Sequence, residues 1–143
     1  MRYMGLDYGS TTVGVAATDA LGLTVQPIET ITRREENKLR KTCARIEELI
    51  GELHIDVIVM GCPLNMDGSE GGRVKKTREF QAMLERRTGM TIELVDERLT
   101  TVEADEILAD SGIPSSERKK YIDQVAAVLI LESYLRDKKL LNI

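Results

Sequence analysis

The sequence predicts one α/β domain: a five-stranded mixed sheet, three antiparallel strands then two parallel ones, flanked by helices. Three observations lead there. The opening stretch reads as short strands broken by tight-turn residues, later apolar positions recur at three- and four-residue spacing, and brief apolar runs separate those helical stretches. Strands that come first in a meander and then alternate with helices belong to one sheet whose later strands run parallel. At 143 residues the chain makes a single domain, 1–143, with no room for two lobes closing over a cleft.

Each element has its own signal. A strand at Arg2–Leu6 leads into a turn at Asp7–Thr11, then a strand at Thr12–Thr18, and Leu23–Ile31 alternates as a third strand after the Gly22 turn. Leu39, Cys43, Ile46, Leu49, Ile50 and Leu53 share one helical face, and Val57–Met60 suits a strand buried on both sides. A turn-rich segment, GCPLNMDGSEGG, precedes a helix from about Arg73 to Arg87, and Thr91–Val95 gives the fifth strand. Thr100 with Glu103 reads as a capping box for a helix through Ala109, stopped by Ser111-Gly112 and Pro114. A last helix is expected from about Ser116 to Arg136. The first strand, followed by its hairpin partner, is expected at the centre of the sheet.

Composition narrows the chemistry. There are two cysteines, Cys43 and Cys62, and one histidine, His54. That excludes a disulfide framework, a cysteine-rich or HExxH zinc site, and in practice a Ser-His-Asp triad. His54, at a helix-to-strand junction, is expected to cap or face solvent. No apolar run reaches the ~18 residues of a membrane span, and the N-terminus lacks the apolar stretch of a signal peptide, so the expectation is a cytoplasmic protein, monomeric or weakly dimeric. Chemistry is left to carboxylates, hydroxyls, basic residues or a hard metal ion.

Three acids stand where solvation does not explain them. Asp7 ends the expected central strand, Glu97 (or its neighbour Asp96) lies at the carboxyl end of a parallel strand, and Asp123 shares a helical face with Ala126, Ala127, Ile130 and Tyr134. A buried salt bridge is the competing explanation for Asp123. Carboxylates about 4 Å apart repel by roughly 4 kcal/mol per pair at an effective dielectric near 20. If the three converge, protons or a divalent cation must neutralise them, and an all-oxygen set suits one or two Mg²⁺ or Mn²⁺ ions.

Two loops are candidates for holding phosphate. Gly9, Ser10 and Thr11 follow the first acid, without a GxGxxG fingerprint. The loop carrying Asn65, Gly68 and Ser69 feeds a helix that begins with Arg73 and Lys76, where free amides and basic side chains meet. Arg98 and Thr100, just past the second acid, complete the candidate contacts. A net charge of −4 and a pI near 5.2 argue against broad nucleic-acid binding, but the basic residues are grouped, and such patches steer phosphate locally. With no Trp and one Phe, recognition through backbone and shape is expected rather than base stacking.

These segments resemble the YqgF (RuvX) family of Holliday-junction-resolvase-like and pre-16S rRNA-processing nucleases. The likeness runs through Gly5-Leu6-Asp7-Tyr8-Gly9 with Val13-Gly14-Val15-Ala16, Gly61 to Gly71, Asp96-Glu97-Arg98-Leu99-Thr100-Thr101, and Ile122-Asp123 with Ala126-Ala127. It implies a ribonuclease H-like fold, with Asp7, Glu97 and Asp123 as catalytic metal ligands. It further implies phosphodiester hydrolysis, leaving a 5′-phosphate and a 3′-hydroxyl, at the 5′ end of the small-subunit ribosomal RNA precursor. The chain departs from the family at Thr12, where a basic residue is usual, at Gly72 in place of a proline, and at Tyr121 in place of a glycine. Two other functions compete: a non-catalytic nucleic-acid-binding module with structural acids, and a sugar-kinase-like or actin-like phosphotransferase, for which the chain is short.

Overall fold

The computed structural model describes residues 1–140 except Leu23, Asn65, Met66, Gly68, Arg98 and Leu99, and without the side chains of Thr100 and Thr101. Its elements are β1 (Tyr3–Tyr8), β2 (Thr12–Thr18), β3 (Val25–Thr32), α1 (Arg40–Leu53), β4 (Val57–Pro63), α2 (Gly72–Thr88), β5 (Ile92–Glu97), α3 (Thr100–Asp110), α4 (Ser115–Arg118) and α5 (Ile122–Asp137). The strands form one five-stranded sheet in the order β3-β2-β1-β4-β5. β1 is central: it pairs antiparallel with β2 and parallel with β4, while β2–β3 is antiparallel and β4–β5 parallel. This is the expected topology.

The side-chain period of two sorts the strands onto two faces. Met4, Leu6 and Tyr8 of β1 join Val13, Val15, Ile58 and Met60 in a core closed by Cys43 and Ile46 of α1 and Phe80 and Leu84 of α2. Val59 lies on the other face, under Ile130, Leu131 and Leu135 of α5. Each such fully buried side chain is worth about 1.5–3 kcal/mol of transfer free energy. Helices therefore cover both faces.

Local differences from the sequence expectation concentrate at strand ends. β1 runs on through Asp7 and Tyr8, β4 through Gly61-Cys62-Pro63, and β5 through Asp96 and Glu97. Polar and turn-forming residues there suggest a loop, but neighbouring strands supply the ladder that overrides them. The expected single helix from Ser116 to Arg136 is two helices. Lys120 and Tyr121 donate to carbonyls three residues back, Glu117 (3.2 Å) and Arg118 (3.0 Å), which tightens the chain and starts α5 afresh at Ile122. His54 is the C-cap of α1, in the left-handed region at φ 53°.

On the α5 face the Tyr134 hydroxyl donates to the Glu93 carboxylate of β5. Partial burial first, then that hydrogen bond and the carboxylate's charge, push the Tyr134 phenol up to about 12. The neutral phenol is the form the fold favours, so its contribution to stability is whole below the ordinary tyrosine pKa and lost as pH rises through about 12. An ultraviolet titration is expected to show one phenolate arising near pH 12, absent in Tyr134→Phe and shifted down in Glu93→Gln.

Candidate carboxylate centre

Strand alternation aims Asp7. Because Met4, Leu6 and Tyr8 fill the α1–α2 core, the intervening residues face α5, and Gly5 lies against the Ala127 carbonyl and Leu131. The same parity settles the choice between Asp96 and Glu97. Val95 packs with the α5 cluster and Glu93 meets Tyr134, so Glu97 is on the face of Asp7 while the exposed Asp96 points the other way. Asp123 lies in the first turn of α5, where a carboxylate is stabilised by the helix dipole. Ala126, Ala127 and Ile130 on its face are buried.

Two glycines bring the other acids to Asp7. Asp7 pairs across the sheet with Gly14 of β2. On the other side Leu6 pairs with Met60, so the next residues along these parallel strands, Asp7 and Gly61, lie side by side. A β-carbon on Gly14 would sit 1.9 Å from the carbonyl oxygen of Asp123, and one on Gly61 would sit 2.9 Å from Glu97 Oε2. The start of α5 thus rests on Gly14, and the Glu97 carboxylate lies over Gly61. Glycine in a strand interior weakens it unless something must approach closely; here two acids do.

The electrostatics register this convergence. Burial first, then the charges of Glu97 and Asp123, push the Asp7 carboxyl well above the usual carboxylate range. Among the described residues, no three thiol, imidazole or carboxylate side chains are gathered tightly enough to hold an ion as they stand. The donor set still fits one. It is all carboxylate oxygen, half-buried, and mutually repulsive at Asp7, which suits a hard divalent cation.

The remaining candidate residues are spread around this end of the sheet. Gly9 closes the β1–β2 hairpin: its N–H donates to the Thr12 carbonyl at 2.7 Å and its own carbonyl accepts from Arg33 at 2.6 Å. Ser10 and Thr11 at the hairpin tip are exposed. Ser69 donates to Asp67 from both N–H and hydroxyl. Arg73 and Lys76, on the first turns of α2, share the Glu36 carboxylate, and both hydrogen bonds hold Glu36 below the usual carboxylate range. Arg78 pairs with Glu70 at 2.5 Å. Asn65, Gly68 and Arg98 lie outside the described residues, as does the Thr100 side chain.

Sequence reasoning passed over Gly14, Gly61, Tyr8 and Glu36 as parts of this region. The glycines had a signal, since both interrupt strongly apolar strand runs. Glu36 had none: it sits in a polar connection, and only the β2–β3 register, which places Thr32 opposite Thr12, carries the following residues toward α2.

The sequence profile of the RuvX family, described as Holliday junction resolvase, matches residues 1–137. A Lachnospira eligens protein named "Putative pre-16S rRNA nuclease" is 57% identical over 139 residues, covering 97% of this chain and 99% of its own. A protein of the same name from Agathobacter rectalis is 51% identical, covering 94% of each. Among solved structures, Thermus thermophilus RuvC in complex with a Holliday junction substrate superposes with a TM-score of 0.57 at 11% identity, over 98% of both chains. The fowlpox virus Holliday junction resolvase gives 0.55 at 12% identity, over 96% of this chain and 99% of that one. At such identities the structural likeness bears on the fold, which is that of the ribonuclease H-like resolvases.

Proposed function

This chain belongs to the RuvX family, and on that footing we propose that it is a metal-dependent nuclease acting on precursor ribosomal RNA, at the 5′ end of the small-subunit RNA. The observation that carries the chemistry is the pair of glycines flanking Asp7, one under the backbone of Asp123 and one under the carboxylate of Glu97. At Asp7 the influences on the carboxyl are burial and two more carboxylates, all of which raise it, and that supports a cation-binding role. The names of the relatives at 57% and 51% identity favour RNA as substrate.

Asp7, Glu97 and Asp123 would hold one or two Mg²⁺ or Mn²⁺ ions, which when bound polarise a phosphoryl oxygen and acidify a water for in-line attack. The chain's own share is positional. β1 and β5 fix two carboxylates on strand ends, and α5 delivers the third at the height set by Gly14. Packing on both faces of the sheet keeps those ends rigid, so little reorganisation is left for the reaction itself. The exposed Ser10 and Thr11 and the basic start of α2 border this end of β1 and place the phosphate backbone.

Precursor 16S RNA and a four-way DNA junction, offered in parallel to wild type and Asp123→Asn, test the reading. Cleavage of the RNA is expected with Mg²⁺, none with EDTA, and a loss of about 10²-fold or more in Asp123→Asn. Cleavage confined to the junction would replace the substrate and keep the chemistry. Metal-independent binding without cleavage, unchanged by the substitution, would leave a binding module instead.

A further inference from the structure

A second polar cluster lies behind the first. Tyr8 follows Asp7 and so faces the other way, 7% exposed, its ring stacked on Phe80 with centroids 4.3 Å apart and planes at 10°. Over the same ring sit two guanidinium groups, Arg33 at 5.0 Å and Arg73 at 5.5 Å from the centroid. With Phe80 against one face, both cations converge on what remains of it. The ring attracts each of them, and the two like charges gathered on it repel one another. Lys76, about one turn along α2 from Arg73, adds a third positive charge.

The carboxylate set against them is Glu36. One oxygen accepts from Arg73, and the other lies 3.2 Å from Lys76 Nζ. Arg33 is held by neutral carbonyls, Gly9 at 2.6 Å and Glu36 at 3.0 Å. Even so, Arg33 Nη1 and Arg73 Nη2 are buried without a hydrogen-bond partner among the described residues. A buried charged donor without an acceptor is costly. The cluster is short of anionic oxygen.

We propose that Arg33, Arg73 and Lys76 form a phosphate-binding subsite, distinct from the carboxylate centre, and that Glu36 holds the place of a nucleic-acid backbone phosphate until that phosphate displaces it. The assignment of the phosphate to a nucleic acid rests on the nuclease reading. Glu36 mimics the ligand, dividing two anionic oxygens between two cations as a phosphate does. Its hold is weak, because solvent screens part-exposed ion pairs of this kind. A phosphate with more oxygens can also serve the donors on Arg33 and Arg73 that Glu36 leaves unmet. Arg33 ties the subsite to the Gly9 carbonyl, two residues beyond Asp7, so a strand of substrate crosses the end of β1 with phosphates on both sides of it.

The test needs no cleavage. Inorganic phosphate is titrated into wild type, Glu36→Gln, and Glu36→Gln combined with Arg33→Ala or with Lys76→Ala, following the arginine Nε–H resonances; a short RNA duplex in EDTA is followed by anisotropy. Glu36→Gln is expected to bind phosphate roughly tenfold, and RNA several-fold, more tightly than wild type. Each second substitution should reverse the gain and lower the salt slope of RNA binding by about one. Lys76, on the exposed side of α2, carries the test should Arg33→Ala lose the fold. Phosphate and RNA affinities in Glu36→Gln equal to wild type, or a gain that both second substitutions leave intact, would overturn the subsite. Tighter phosphate binding in a protein that cuts no nucleic acid would sink the nuclease reading and spare the subsite.

Discussion

Asp7→Asn is expected to abolish phosphodiester cleavage, by roughly 10³-fold or more, while making the metal-free protein harder to melt. The two effects share a cause. Burial, Glu97 and Asp123 raise the Asp7 carboxyl well above its usual range, so the folded state binds this proton more tightly than the unfolded one. The stability linked to that proton is whole below the unfolded carboxylate pKa of about 3.9 and is lost as pH rises through the raised value. Ionising Asp7 in the folded state therefore costs stability, and the neutral amide removes the cost. Melting curves in EDTA should place Asp7→Asn several degrees above wild type at pH 7–8, with the gap closing as pH falls. A variant that melts at or below wild type at neutral pH would mean that the three acids do not repel one another. Added Mg²⁺ should raise the melting point of wild type and leave Asp7→Asn nearly unchanged.

Gly14→Ala is the second large effect. The new methyl would sit 1.9 Å from the Asp123 carbonyl oxygen and 2.3 Å from its carbonyl carbon. Both are backbone atoms, so no side chain can swing aside. The first turn of α5 must lift by more than about 1 Å, for a cost of ~3 kcal/mol at the upper end of ordinary overpacking. Activity should fall by about 10²-fold even where the protein still folds, since a misplacement of that size suffices. Gly51 is the control. It lies in α1 with nothing within 4 Å of an added β-carbon, and Gly51→Ala should stabilise by roughly 0.5–1 kcal/mol. Urea midpoints and cleavage rates for the two variants separate the effects. Equal midpoints for Gly14→Ala and wild type would show that α5 does not rest on β2.

The fold was legible because its long elements carry unambiguous periods. Cys43, Ile46 and Leu49 mark the buried face of α1, and Val13, Val15 and Ala17 line one face of β2. Legibility failed where local preference and long-range pairing disagree. Asp7, Gly61 and Glu97 each look like part of a turn or loop, yet pairing with neighbouring strands extends β1, β4 and β5 to include them. Those misjudged ends are where the candidate centre lies, as expected when chemistry demands residues that the local structure would not choose. Asp123 stood out because an acid among alanines violates the helical pattern. The break that opens α5 just before it left no comparable mark, because Lys119 and Lys120 are good helix formers. The gathering of Arg33, Arg73 and Glu36 around Tyr8 depends on strand register and on α2 packing, and neither is written in any short stretch of residues.

The three acids are drawn from residue 7, residue 97 and residue 123 of a 143-residue chain, and the last arrives on the helix that roofs the central strand. A polypeptide still being translated, with Asp7 and Glu97 already exposed but α5 not yet synthesised, holds two-thirds of the set and no roof. On the proposed reading of these acids as one metal-binding set, competence to cut RNA would arrive late in biosynthesis, together with the helix that carries Asp123.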